Sequence, residues 1–479
     1  MKSSYIYILF FSFIFMASCV KDDSTHDLET LNQIEINDTT ATGVILQFDT
    51  LTIVPEIEQS IPVPEDELLY AWTLRAEDGY GDLVFLDSSR NLHKPIGVLP
   101  GDYTVTYRVT VKSTGVMFMK LFPLKVINRF SLGWLLLEDN SGTGDISIVL
   151  PNDTVVNHIY SELNPGEPLN MPLKEIGITD TYAGKYINIF SENQGIRLDY
   201  DVLLKDSEMK DWFWEAPTNL HPEKFTRLSS SLANIINNGL LHIYVAGGFP
   251  GDVKYMNALP FPGGKGADYA LAPFIGIGPG PYDGKTSYTG LYYDTKTKGF
   301  LYLTGASLIP QFQFFNAPTA SGAFNMNEIG KELLSMDLAY KANMYNNVFK
   351  DENGELFLYQ VELANSEPAT LMQNITAVNP SLKGATMFAS SVLLPQVYCV
   401  KGQDIYLYEI PSNTSTPILS IAAGETITKL KINSTSMQVA TWDGAQGHFY
   451  IYDIDAYGKL SLSKEFSGFG KIVDFVYKG

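Results

Sequence analysis

Apolar and polar residues alternate most cleanly in the stretch LPGDYTVTYRVTVKSTG. Tyr103, Val105, Tyr107, Val109 and Val111 interleave with Thr104, Thr106, Arg108 and Thr110. A period of two predicts a strand with one face on a core and the other in water. Pro100-Gly101-Asp102 supplies the turn that launches it. Upstream, LLYAWTLRAEDGYGD places Trp72 in a strand that ends in a Gly/Asp turn, and downstream MFMKLFPLKVIN supplies a closing strand. A buried Trp on one sheet facing a long alternating strand on the other is the arrangement of an immunoglobulin-like sandwich.

From Ser131 onward the rhythm changes and repeats. KGFLYL (298–303), GELFLYQV (354–361), QDIYLYEI (403–410) and GHFYIYDI (447–454) are aromatic-rich strands, each preceded by a polar turn. Before each turn lies another strand: GLYYDT, NNVFKD, QVYCVK and MQVATW. Looser copies occur in GWLLLEDNSGTGDISIV, KYINIFSENQGIRLDYDV and GLLHIYVAGG. Hairpins recurring about every 40 to 60 residues predict propeller blades, each a four-stranded sheet around a central channel. Seven such hairpins suit a seven-bladed ring; uneven spacing leaves six or eight open, and a pair of large sandwiches is the competing architecture. The final GFGKIVDFVYKG is placed to close the ring against the first blade.

Composition agrees with an all-β chain. Of 479 residues 45% are hydrophobic, and 28 Tyr with 27 Phe favour strands over helices. That length exceeds one ordinary core and suggests two or three domains. The formal net charge of −20 opposes nucleic acid and anionic membrane surfaces as partners, and is read first as solubility. Only two cysteines are present, too few for a disulfide framework. Cys399, inside QVYCVKG, is expected to be a small buried apolar residue.

The first residues concern address. Lys2 is followed by an apolar run from Tyr5 to Met16, and Ala17 and Ser18 precede Cys19. The run is shorter than the roughly 20 residues that span a bilayer, so it reads as a removed secretory signal over residues 1–18. Met16-Ala17-Ser18-Cys19 resembles the bacterial lipobox, which implies that Cys19 carries diacylglycerol and becomes the first mature residue. Two or three acyl chains suffice for stable anchoring, each buried CH2 contributing about 0.8 kcal/mol. Lys21, Asp22 and Asp23 resemble the Lys-plus-acid signal that sends lipoproteins of the Bacteroidota to the outer face of the outer membrane. Residues 19–34 are polar and read as a tether.

No catalytic constellation is recognisable. The six histidines are scattered, without an HExxH or close pair that would favour zinc, and no metal or cofactor is implied. GIGPGPYDG (276–284) has phosphate-loop glycines, but Pro279 and Pro281 forbid the helix a dinucleotide fold requires, so it reads as a rim loop. DENGE (351–355) lacks the distant glutamate of a calcium loop and reads as a hairpin turn. The strongest binding candidate is MKDWFWEAP. Trp212, Phe213 and Trp214, flanked by Lys210, Asp211 and Glu215, would stack on sugar faces or grip a partner. Equally, one or two of them would plug the gap between blades.

LPGDYTVTYRVTV is similar to the late strands of PKD domains, with the usual acidic-glycine turn altered to EDGYGD. The similarity covers residues 35–128, leaving 129–479 to the propeller. The whole layout resembles PKD-like lipoproteins of Bacteroidota encoded beside SusC/SusD-type nutrient importers. That resemblance implies a non-catalytic protein of the outward-facing cell surface, held to outer-membrane lipid through Cys19. It would capture oligosaccharide or oligopeptide, dock on the SusC/SusD-type transporter, or both. The alternative is a surface glycoside hydrolase, lyase or peptidase on the same scaffold.

Overall fold

The computed structural model describes residues 31–37, 43–47, 49–77, 83–98, 100–128, 130–181, 184–229, 231–245, 254–263, 266–278, 288–304 and 311–479. The chain divides into two units, Met1–Arg129 and Phe130–Gly479. The first unit is a β-sandwich. One layer is a five-stranded sheet in the order Val44–Leu46, Met117–Ile127, Gly101–Val111, Leu68–Ala76 and Val84–Asp87. Two short pairs, Ile34–Asn37 with Glu56–Gln59 and Thr50–Ile53 with Leu92–Pro95, supply the other layer.

The alternation in Gly101–Val111 does what period-two sterics require. Val105, Tyr107, Val109 and Val111 are buried, while Thr104, Thr106, Arg108 and Thr110 lie on the opposite, partly exposed face. Trp72 is fully buried, its indole 4.0 Å from the Tyr107 ring and its Nε1 donating to the Ser89 carbonyl at 2.9 Å. One expectation is corrected here: Trp72 does not face the long strand across the sandwich. It lies in the same sheet, directly paired with Tyr107, because alternation specifies which face a residue takes and not which strand lies beside it.

Among the described residues the second unit contains seven antiparallel sheets arranged as the blades of a propeller. Blade I holds Gly133–Asn140, Thr143–Val149 and Val155–Val156, with Lys471–Lys478 as its innermost strand. Blade II runs Leu173–Thr181, Gly184–Ser191, Gly195–Asp199 and Lys205–Glu208; blade III runs Pro222–Ser229, Leu232–Asn237 and Leu240–Val245. Blade IV is Gly276–Ile277, Tyr288–Asp294, Gly299–Thr304 and Phe312–Phe314; blade V is Glu332–Leu338, Met344–Lys350, Leu356–Glu362 and Ala369–Asn374. Blade VI comprises Met387–Ser390, Gln396–Lys401, Asp404–Glu409 and Thr414–Ser420, and blade VII Thr426–Ile432, Ser436–Trp442, Gly447–Ile454 and Leu460–Phe469. In blades II to VII the first strand of each is the innermost, and innermost strands of successive blades approach one another from blade IV through V, VI, VII, I and II to III.

Each repeated hairpin of the sequence is the middle pair of a blade. Middle strands are covered on both faces, which is why Gln396–Lys401 and Ser436–Trp442 are nearly continuous in apolar or small residues. Aromatic rings bridge blades: Tyr293 and Phe300 of blade IV stand 5.1 and 5.8 Å from Phe349 of blade V, itself 5.0 Å from Tyr359. GIGPGPYDG departs from a pure loop, since Gly276–Ile277 forms the short innermost strand of blade IV; residues 279–287 lie outside the described residues. DENGE is the hairpin turn expected, with Asp351 accepting from the backbone amides of Asn353 and Glu355.

Ring closure joins the two ends of this unit. Lys471–Lys478 pairs with Gly133–Asn140 from Gly133↔Lys478 to Asp139↔Lys471. The buried Glu138 carboxylate accepts from the Gly470 amide at 2.6 Å and from the Ser147 hydroxyl. Gly470 is required there, because any Cβ would collide with the Asn140 side chain and the Asp139 carbonyl.

Candidate functional site

Cys19, Lys21, Asp22 and Asp23 lie outside the described residues. Trp212, Phe213 and Trp214 lie where blade II hands over to blade III. A 3-10 turn over Met209–Trp212 leads into an extended segment whose backbone bonds Tyr255, through Tyr255 N to Trp212 O at 2.7 Å and Trp214 N to Tyr255 O at 3.1 Å. The segment after Tyr255 runs along the outer strand of blade III, with Met256 and Leu259 donating to Ile243 and Leu241. The triplet therefore sits at the outer edge of blade III, away from the axis.

Its three rings separate. Trp212 and Phe213 are each 3% exposed and pack with Phe190, Met209, Phe225 and Tyr244. The Arg197 guanidinium lies 4.6 Å over both the Trp212 and Tyr186 rings, and the indole donates to the Ser207 hydroxyl at 2.9 Å. These two residues fill the inter-blade gap. Trp214 is 70% exposed. Loop segments carry no periodicity, so nothing in WFW distinguishes the outward ring from the inward ones.

The next residue, Glu215, begins the lining of a cleft of about 370 Å³ formed by Glu215–Asn219, by Asn237, Asn238, Leu240 and His242, and by Asn257 and Ala258. Asn237 holds its walls together, accepting from the His221 amide at 2.8 Å and donating to the Asn219 carbonyl at 2.9 Å. Asn257 donates to the Glu215 carboxylate at 3.0 Å. His242 is almost fully buried; its Nδ1 bonds the Met256 carbonyl at 3.0 Å, while Nε2 has no partner among the described residues. Burial lowers the imidazole pKa, against the opposing pull of the Met256 bond. The neutral ring thus donates through Nδ1 and leaves Nε2 as a buried acceptor with no partner among the described residues. His242 stands in the strand LLHIYV, and its missing partner is visible only once strands and loop are assembled.

A second concentration of polar groups lies on the innermost strands. Lys429 and Lys431 of blade VII reach the same oxygen of Asp474 in blade I, at 3.2 and 2.7 Å. The other Asp474 oxygen accepts from the Ile176 amide of blade II at 3.1 Å. Lys224 of blade III pairs with Glu175 of blade II. Burial alone would raise the Asp474 carboxyl, but Lys431 and Lys429 outweigh it and hold the pKa below its usual range. Asp337 of blade V is the exception. Desolvation pushes it up to about 7, against the Ser390 amide and the Lys224 charge. Among the described residues no group of three or more His, Cys, Asp or Glu side chains converges as a metal site.

The Asp337 shift fixes the sign of a pH effect. The folded form retains a proton that the unfolded chain releases near pH 4, so stability falls as pH rises from about 4 to about 7 and levels off above. Asp337→Asn is expected to remove this slope, giving a variant about 2–4 kcal/mol more stable than the parent at pH 8 but equal to it at pH 3.5. Urea unfolding across that range measures the difference.

The N-terminal part has a match among known families. Residues 19–171 match the PKD-like family. The PKD-like match takes in the whole sandwich and runs on through the first hairpin of blade I. No curated protein matches the chain. Among solved structures, it is similar to a quinoprotein alcohol dehydrogenase-like protein from Bacteroides thetaiotaomicron, at 12% identity and a TM-score of 0.46, covering 93% of this chain and 99% of that one. A DUF4784 family protein from Bacteroides caccae aligns at 11% identity and a TM-score of 0.33, over 93% and 98% of the two chains. TolB from Acinetobacter baumannii aligns at 10% identity and a TM-score of 0.35, over 80% of each.

Proposed function

We propose that this protein is a non-catalytic accessory of the outer-membrane surface, anchored through acylated Cys19, which captures oligosaccharide or oligopeptide at the blade III cleft and docks on a SusC/SusD-type importer. The observation that carries the capture reading is the 70%-exposed Trp214, directly followed in the chain by Glu215, which lines a cleft together with Asn219, Asn238 and His242. An indole face stacks on the apolar face of a sugar or on a peptide side chain. Asn219, Asn238, Glu215 and His242 supply the few fixed polar groups that orient a ligand in such a cleft. The lipobox-like start and the Lys21-Asp22-Asp23 signal support the address, and tethering would raise the local concentration of captured ligand near a transporter.

Affinity gels bearing mixed polysaccharides, and immobilised peptide pools, test the capture. Trp214→Ala is expected to lower retention at least tenfold with the melting temperature within about 1 °C of the parent, since an exposed ring contributes little to folding. Retention unchanged in that variant would end the assignment of the cleft, and turnover of any retained polymer would end the non-catalytic reading. Absence of a SusC/SusD-type pair on co-purification from membranes would end the docking reading.

A further inference from the structure

We propose that the axis of the propeller is a binding site for a small oxyanion, a carboxylate or phosphate group held by the amines of Lys429 and Lys431 with Lys224 contributing from blade III. This site is separate from the blade III cleft and does not rest on its assignment.

The first support is the accounting of charge. Lys429 and Lys431 share one carboxylate, Asp474, whose second oxygen is already taken by the Ile176 amide. Lys224 has Glu175 to itself. Three amines thus pair with two carboxylates among the described residues, and Lys429 and Lys431 divide one oxygen between them.

The second support is convergence. Thr426–Ile432 of blade VII and Leu173–Thr181 of blade II each approach Lys471–Lys478 of blade I, and Pro222–Ser229 of blade III approaches Leu173–Thr181. Groups from blades I, II, III and VII are thereby brought together at the axis.

The third is what the axis presents. The side chains of Lys429, Lys431 and Lys224 are 36%, 37% and 34% exposed, whereas Asp474 is 1% and Glu175 17% exposed. The acids are covered, whereas part of each lysine side chain reaches solvent. In a chain of net charge −20, an inward-facing cluster of lysines with low-dielectric walls is a local reversal of sign that concentrates anions. Ammonium groups are compact donors suited to a carboxylate or phosphate oxygen.

The test uses full-length protein in detergent, titrated calorimetrically with sodium phosphate and, separately, with sodium glucuronate, sodium chloride holding the ionic strength constant. Saturable one-site binding in either arm is expected, and the arm that responds tells whether the site takes phosphate, carboxylate or both. Lys429→Gln should weaken it at least tenfold, because that variant leaves Lys431 on Asp474 and so spares the buried carboxylate. Lys429→Arg should restore it, and Trp214→Ala should leave it unchanged. If Lys429→Gln does not fold, the charge-neutral pair Lys224→Gln with Glu175→Gln is expected to weaken binding instead. Heats indistinguishable from chloride in both arms, or full affinity in a folded variant lacking one of these amines, would overturn the proposal.

Discussion

Removing residues 471–479 is expected to abolish cooperative unfolding of the propeller, leaving a chain that melts without a single transition and is degraded by protease at concentrations the parent survives. The deleted strand is the innermost one of blade I, and without it Gly133–Asn140 loses a partner along most of its length. Ile472 and Phe475 are fully buried and join Leu136, Phe449 and Phe469 in the core between blades VII and I. The Phe475 ring lies 5.0 Å from Phe449 and 6.0 Å from Trp134. Burying these two side chains contributes about 2–3 kcal/mol each by area alone, and a cavity left by either adds to the loss. The deletion also removes Asp474 and Lys478, and leaves Gly470, whose amide bonds Glu138, as a free chain end. A total stability of about 5–15 kcal/mol does not survive that sum. Phe475→Ala, expected to cost about 3–5 kcal/mol, is the graded version, read from the urea midpoint. A deletion that kept a sharp transition would show that the ring does not depend on this strand.

Asp474→Ala is expected to destabilise the propeller by about 3–5 kcal/mol, because it strands two ammonium groups and one backbone amide that share this carboxylate. Asp474→Asn should lie between, keeping an acceptor for Ile176 but no charge for the lysines. Replacing Lys429, Lys431 and Asp474 together by apolar residues of similar volume is expected to recover most of the loss, since such a group costs more when half-removed than when absent. Equilibrium unfolding in urea at pH 7 measures all three. A loss below about 1 kcal/mol in Asp474→Ala would mean that water already screens this cluster as it does a surface pair.

How much of this was legible beforehand follows from the range of the interactions involved. The middle hairpins were legible because their signals are local: an apolar run, a Gly, Asn or Asp turn, and a second apolar run. The closing strand was legible as a leftover, one strand with no hairpin partner of its own. The innermost strands were not. LKEIGITDT, TITKLKI and KIVDFVYK carry charges in mid-strand, which reads as an exposed surface until their partners are known. Asp474 and Ile176 meet across 298 residues of sequence, beyond the reach of any pattern. In the sandwich, the alternation of Gly101–Val111 located a core face but not the sheet neighbour of Trp72. Met117–Ile127 hid its own alternation because its outward residues Met117, Met119 and Leu121 are apolar yet 57–62% exposed. At the candidate site, the cluster of aromatics was visible and the division of labour within it was not. The cleft itself is assembled from three stretches of chain that share no motif.

The position of residues 471–478 beside residues 133–140 also sets an order of events. A chain that emerges from the ribosome with its amino end leading presents the first blade early, but one strand short. Blades II to VI draw all their strands from contiguous sequence and are free to assemble during synthesis. The inner edge of Gly133–Asn140 stays an open template for stray β-pairing until nearly the whole polypeptide has been made. Shielding that edge in the interval is a task for whatever escorts the chain, and the finished molecule has no further need of it.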